Sequence, residues 1–113
     1  MAQPLPSADA LFEALGDGTR RRIFERVARG AASVNELAEG LPVSRPAVSQ
    51  HLKALSEAGL VESEAKGTKR IYRLQARSVE AMRRWLDSIW DDALQAFAAE
   101  IDKEGEEDEH DQH

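Results

Sequence analysis

The 113-residue chain contains no cysteine. That absence removes disulfides, thiolate metal sites and cysteine nucleophiles together, and leaves the redox compartment open. Long apolar runs are missing too: none approaches the roughly 18 residues that a membrane-spanning helix requires, so no membrane partner is expected. The opening residues, Met1 to Ala10, carry neither a basic residue nor the apolar stretch of a targeting leader, which makes the cytoplasm the expected location. No nucleophile paired with a base, no phosphate loop and no converging carboxylates can be named, so neither an enzyme nor a cofactor is expected. Basic charge is almost absent from the end of the chain. Residues 101–113 hold seven acids against Lys103 alone, which accounts for the whole net charge of -6.

What is present is a composition of 42% hydrophobic and 32% charged residues with a mean hydropathy of -0.53, the balance of a soluble globular domain with one modest core. Between Thr19 and Arg77, twelve basic residues face six acids. A cationic centre followed by an acidic end is compatible with a polyanion partner, although scattered surface charge gives the same sum.

Apolar spacing predicts the elements. Ala8, Leu11, Phe12 and Leu15 mark a first helix that stops at Gly16, and Asp17 caps a second that buries Ile23, Phe24, Val27 and Ala28 before Gly30. Ser33 with Glu36 makes a capping box for a short third helix, interrupted by Gly40 and Pro42. Ser44 caps a fourth, with Pro46 in the first turn and Gly59 at the end. Two runs, Val61 to Ala65 and Arg70 to Leu74, then read as a β-hairpin around Lys66, Gly67, Thr68 and Lys69. A last helix follows from Ser78 to about Ile101. Its band of Val79, Met82, Leu86, Ile89, Ala93, Phe97 and Ile101, widened by Trp85 and Trp90, is too broad for one small core and predicts burial against another chain. Residues 1–101 are thus expected to form the folded domain and residues 102–113 a disordered acidic tail.

The stretch SVNELAEGLPVSRPAVSQHLKAL, Ser33 to Leu55, has the form of a helix-turn-helix. On its second helix, Val48, Leu52 and Leu55 share one face, which leaves Pro46, Ser49, Gln50 and Lys53 outward. Glutamine suits an adenine edge, serine several partners, and lysine guanine or phosphate. Arg45 and Ser44, with the helix N-terminus, suit phosphate. On the hairpin, Lys66, Thr68, Lys69 and Arg70 suit a wing touching the DNA backbone or minor groove.

These motifs resemble the ArsR/SmtB-type winged helix-turn-helix repressors of bacteria and archaea over nearly the whole chain. ALFEALGDGTRRRIFERVARG looks like the family's first two helices, LPVSRPAVSQHLKALSEAGLVESE like its recognition helix and following strand, and KGTKRIYRL like its wing. MRRWLDSIWDDALQAF is similar to the last helix of a subgroup without the usual metal sites, often described as autoregulatory or encoded beside a small lipocalin-like protein. The resemblance implies a mainly α fold of about five helices with a small β-hairpin wing. It also implies a homodimer through the first and last helices, with Leu11, Leu15, Trp85, Ile89, Trp90 and Phe97 at the interface. The implied partner is double-stranded DNA carrying an inverted-repeat operator. Departures bear on the signal. Ser33 and Asn35 stand where metal sensors place cysteines, Glu80, Asp87, Asp91 and Asp92 mark the last helix without a histidine, and Gly18 replaces a usual proline. No metal site is expected, and the sequence names no effector.

Simpler readings apply to several residues. Arg20, Arg21 and Arg22 read as a solvated, salt-bridged helix face, His51 as a packing histidine, and Trp85 and Trp90 as helix-packing and dimer residues rather than a pocket. His110 and His113 suit only weak chelation. The sequence therefore reads as a sequence-specific DNA-binding regulator, a homodimeric repressor with its own gene among its candidate targets, that does not respond to metals. The alternative is a winged-helix dimer used mainly for protein interaction or small-molecule sensing, with weak DNA binding.

Overall fold

The computed structural model describes the backbone of residues 6–111 and the side chains of residues 6–105. Each early helix starts on a short polar side chain that accepts an otherwise unpaired backbone N–H. Ser7 Oγ accepts from the Ala10 N–H at 3.1 Å to open α1 (Ala8–Ala14). Asp17 Oδ1 accepts from the Arg20 N–H at 2.9 Å to open α2 (Gly18–Arg29). Strand β1 (Ala32–Ser33) runs directly into α3 (Val34–Glu39), where the capping box closes both ways: Ser33 Oγ accepts from the Glu36 N–H at 3.3 Å, and Glu36 Oε1 accepts from the Ser33 N–H at 3.2 Å. Ser44 Oγ accepts from the Ala47 N–H at 3.3 Å at the head of α4 (Arg45–Glu57).

Strands β2 (Val61–Lys66) and β3 (Lys69–Leu74) pair antiparallel from Val61 opposite Leu74 to Lys66 opposite Lys69, leaving Gly67 and Thr68 as a two-residue turn. Gly67 has φ +64° and Thr68 does not have positive φ, the signs of a II′ hairpin turn in which glycine takes the first central place. The turn is two residues shorter than the sequence suggests, because both flanking lysines belong to the strands. The sheet has a third member that hydrophobic patterning does not reveal. β1 pairs with β3 through Ala32 opposite Tyr72 and Ser33 opposite Ile71, giving the order β1-β3-β2. Two residues are too few for alternation to show. The last helix, α5, spans Ala76–Asp111.

Packing divides the chain into two units, residues 1–82 and 83–113. The first holds α1 to β3 and the opening turns of α5. Its core is formed by Leu11, Ala14, Ile23, Val27, Ala32, Leu37, Val48, Leu52, Leu55, Leu60, Val61 and Ala81. Within this unit α2 and α3 both pack on α4, so the side of α4 bearing Val48, Leu52 and Leu55 is held and its opposite side is presented. Ala28 is exposed rather than buried, since Ile23 and Val27 already occupy the inner side of α2. Ser78 is fully buried; its hydroxyl donates to the Gln75 carbonyl at 2.7 Å and stitches the start of α5 to the end of the wing.

The second unit is the remainder of α5. Helix continues ten residues past Ile101, where the sequence reading places a disordered tail. The composition bears on the difference: Ala98, Ala99, Glu100, Lys103 and Glu104 are strong helix formers with no proline among them, so the helix propagates into the acidic end. Of the two tail histidines, His113 lies outside the described residues, and His110 falls where only the backbone is described.

Candidate nucleic-acid interface

The four outward residues of α4 emerge as the spacing predicts. Pro46, Ser49, Gln50 and Lys53 are all exposed, while Val48, Leu52 and Leu55 are fully buried. Ser44 and Arg45 are exposed at the helix head. The anion-binding capacity of that head is smaller than a bare helix N-terminus offers. Pro46 has no N–H, and the Ala47 N–H is already taken by Ser44 Oγ, so Arg45 supplies the remaining backbone donor of the first turn. Ser44 still has its hydroxyl proton to donate.

The wing presents Lys66, Thr68, Lys69 and Arg70, all exposed. Two carboxylates on the same hairpin do not neutralise them. Arg73 sits opposite Glu62 in the ladder and takes both Glu62 and Glu64, at 3.1 Å each. Among the described residues, Lys66, Lys69 and Arg70 have no such ion pair; Arg70 instead donates to Ser63 Oγ at 2.9 Å, which steadies its guanidinium. The Arg73 arrangement was legible in principle, as opposite charges at paired strand positions, but it needs the register first.

Two carboxyls near this surface are held below their ordinary values. For Glu36 the principal cause is the hydrogen bond from the Ser33 backbone N–H, aided by the Ser33 side chain and by the positive charges of Arg26 and Lys69. For Asp17 it is the Arg20 backbone N–H, with a contribution from His51 on α4. His51 itself is half-buried, in keeping with a packing role.

The arginine cluster on α2 is built differently from the salt-bridged face expected. Arg20 donates to the Ala14 carbonyl at 3.3 Å and Arg21 to the Leu15 carbonyl at 3.1 Å, so both satisfy the open C-terminal end of α1.

The residues expected at an interchain contact separate into two kinds. Leu11 is completely buried in the core of the first unit, so it is corrected to a core residue: α1 turns that side inward, and it has no surface left for a second chain. Leu15 is half-buried against the same core. On α5, Trp85 and Ile89 are 40% and 46% exposed, and Trp90 and Phe97 are 62% and 61% exposed. Leu86, Leu94 and Ile101 extend the same exposed series at helical spacing, Leu94 being an addition to the band expected from the sequence.

Comparison with known proteins gives concordant results. A helix-turn-helix domain family matches residues 15–64. The chain is 52% identical over 101 residues to the HTH-type transcriptional regulator Rv2034 of Mycobacterium tuberculosis, covering 89% of this chain and 94% of that protein. Its fold is similar to that of an ArsR-like transcriptional regulator from Rhodococcus sp. RHA1, with a TM-score of 0.71 and 37% identity over 80% of this chain and 86% of that one. It is also similar to the homodimeric winged helix-turn-helix DNA-binding domain of a possible ArsR-family regulator from Mycobacterium bovis, with a TM-score of 0.62 and 26% identity over 80% of this chain and 91% of that one.

Proposed function

The chain belongs to the ArsR/SmtB-type family of winged helix-turn-helix transcriptional regulators, and from that premise we propose that it is a homodimeric repressor that binds an inverted-repeat operator by inserting α4 of each copy into successive major grooves. The observation that carries this reading is the two-sidedness of α4: a fully buried apolar side holds the helix, and Pro46, Ser49, Gln50 and Lys53 stand free on the other. Gln50 and Ser49 read base edges, Lys53 reaches guanine or phosphate, and Ser44 and Arg45 take the backbone at the groove edge. The wing cations Lys66, Lys69 and Arg70, with Thr68, lie along the flanking backbone and displace counterions.

The second copy covers the apolar row of α5. Ile89, Trp90, Leu94 and Phe97 remain about half exposed or more in one chain, an unfavourable arrangement in water that a partner of like character relieves. The homodimeric state of the Mycobacterium bovis relative supports the same assembly. Bound across a promoter, such a dimer represses by occlusion, and its own promoter is the first target to test. The working location is the cytoplasm, where the DNA is. Release does not depend on thiophilic metals, because Ser33 and Asn35 offer no thiolate and the chain has no cysteine.

The test is a footprint on the DNA upstream of the chain's own coding sequence, with and without added zinc or nickel. An inverted repeat with half-sites about one helical turn or a multiple apart, protected equally in both conditions, is the expected result. A single unrepeated half-site, or protection lost at micromolar metal, overturns the reading.

A further inference from the structure

Between the start of α3 and the wing lies a notch of about 190 Å³ lined by Ser33, Val34, Asn35, Thr68, Lys69 and Arg70. It exists because of β1. The antiparallel register that sets Ala32 opposite Tyr72 and Ser33 opposite Ile71 brings the next residues of α3, Val34 and Asn35, alongside Arg70 and Lys69 of β3. The notch therefore joins three residues of the helix-turn-helix to three of the wing.

Its chemistry is one-sided. The lining holds two cations, an amide and two hydroxyls, and no carboxylate, imidazole or thiolate. Ser33 Oγ is occupied as the acceptor for the Glu36 N–H, and Glu36 turns its Oε1 onto the Ser33 N–H. Asn35, Thr68, Lys69 and Arg70 are exposed, and Arg70 is steadied by Ser63. What remains is a lining of side-chain donors and positive charge, the character that a tetrahedral oxyanion requires and a metal cation does not.

We propose that this notch is a phosphate-binding site for the DNA backbone, in which the Asn35 amide donates to the same phosphate group that Lys69 and Arg70 neutralise. Building on the DNA-binding reading above, it assigns α3 a direct share in DNA contact, clamping one phosphate between helix-turn-helix and wing and fixing the wing's angle to the groove. A free inorganic oxyanion has the same chemistry, and the two sources are separable by experiment.

The experiment measures binding of a random-sequence 24-base-pair duplex by fluorescence anisotropy across salt, since a phosphate contact acts on any sequence. Asn35→Ala is expected to weaken binding roughly five-fold with an unchanged salt slope, because no charge is lost. Lys69→Ala is expected to weaken binding and lower the slope by about one. Asn35→Asp supplies the control for folding. An acid in the first turn of α3 favours the helix, so this variant should hold or raise the melting temperature while losing more affinity than Asn35→Ala. Affinities of both Asn35 variants equal to the parent's overturn the proposal. So does an Asn35-dependent NMR titration by inorganic phosphate that leaves duplex affinity untouched by either substitution, for the notch then serves a free anion. Failure of the parent protein itself to bind the duplex at low salt instead overturns the DNA-binding reading.

Discussion

Gln50 and Gly59 illustrate two ways in which one residue matters here. Gln50 contributes nothing to the core and stands fully presented on α4. Gln50→Ala is therefore expected to leave stability unchanged, to cost about 1–3 kcal/mol on the operator, and to leave random-sequence DNA binding as it was. Competition binding with operator and scrambled duplexes checks this, and equal losses on both would remove Gln50 from base recognition. Gly59 matters through its backbone. It has φ +86°, and a Cβ there meets the Pro6 Cγ at 2.9 Å. Gly59→Ala combines a left-handed conformation that alanine resists with displacement of Pro6, and is expected to lose about 1–2 kcal/mol of stability, read by urea denaturation.

Among the elements, α3 depends most visibly on ionisation. The Glu36 carboxylate accepts from the Ser33 N–H, and its folded pKa lies below the ordinary 4.5. The sign follows: this contribution to stability is complete above pH 4.5 and is lost as pH falls through the depressed folded value. Glu36→Gln keeps an acceptor but cannot ionise. The parent's melting-temperature advantage over this variant is expected to shrink steadily as pH falls below 4.5. A difference independent of pH would mean that the charge of Glu36 contributes nothing to the cap. Wing and α3 are linked through the same carboxylate, since Lys69 is among the charges that stabilise its ionised form.

At the scale of the whole molecule the governing feature is the apolar row of α5. A helix in a folded protein draws most of its stability from packing its apolar side, and Leu86, Ile89, Trp90, Leu94, Phe97 and Ile101 leave α5 with much apolar surface unpacked. Joint replacement of Trp90 and Phe97 by aspartate is expected to give a monomer by sedimentation and to lower operator affinity by roughly 100-fold or more, because two half-sites are no longer bound as one. The first unit should remain folded, since neither residue belongs to its core. A variant that stays dimeric and binds the operator normally would place the dimer contact elsewhere.

Local sequence specifies the starts of α2, α3 and α4, the wing and the presented side of α4, because caps, turn glycines and a 3.6-residue period act over a few positions. Ser33 with Glu36, Asp17 and Ser44 each cap where their spacing places them. It also determined that α5 carries more apolar surface than one small domain covers. Packing puts Leu11 in the core rather than leaving it for a second chain, a choice that periodicity does not make, since a buried and an interface leucine share the same spacing. Only the tertiary structure revealed β1, a strand of two residues whose identity lies in its pairing with β3. Pairing across a long stretch of chain has no local signature. It sets Asn35 beside Lys69 and Arg70 and so makes a single cationic notch from residues that, along the chain, lie more than thirty positions apart.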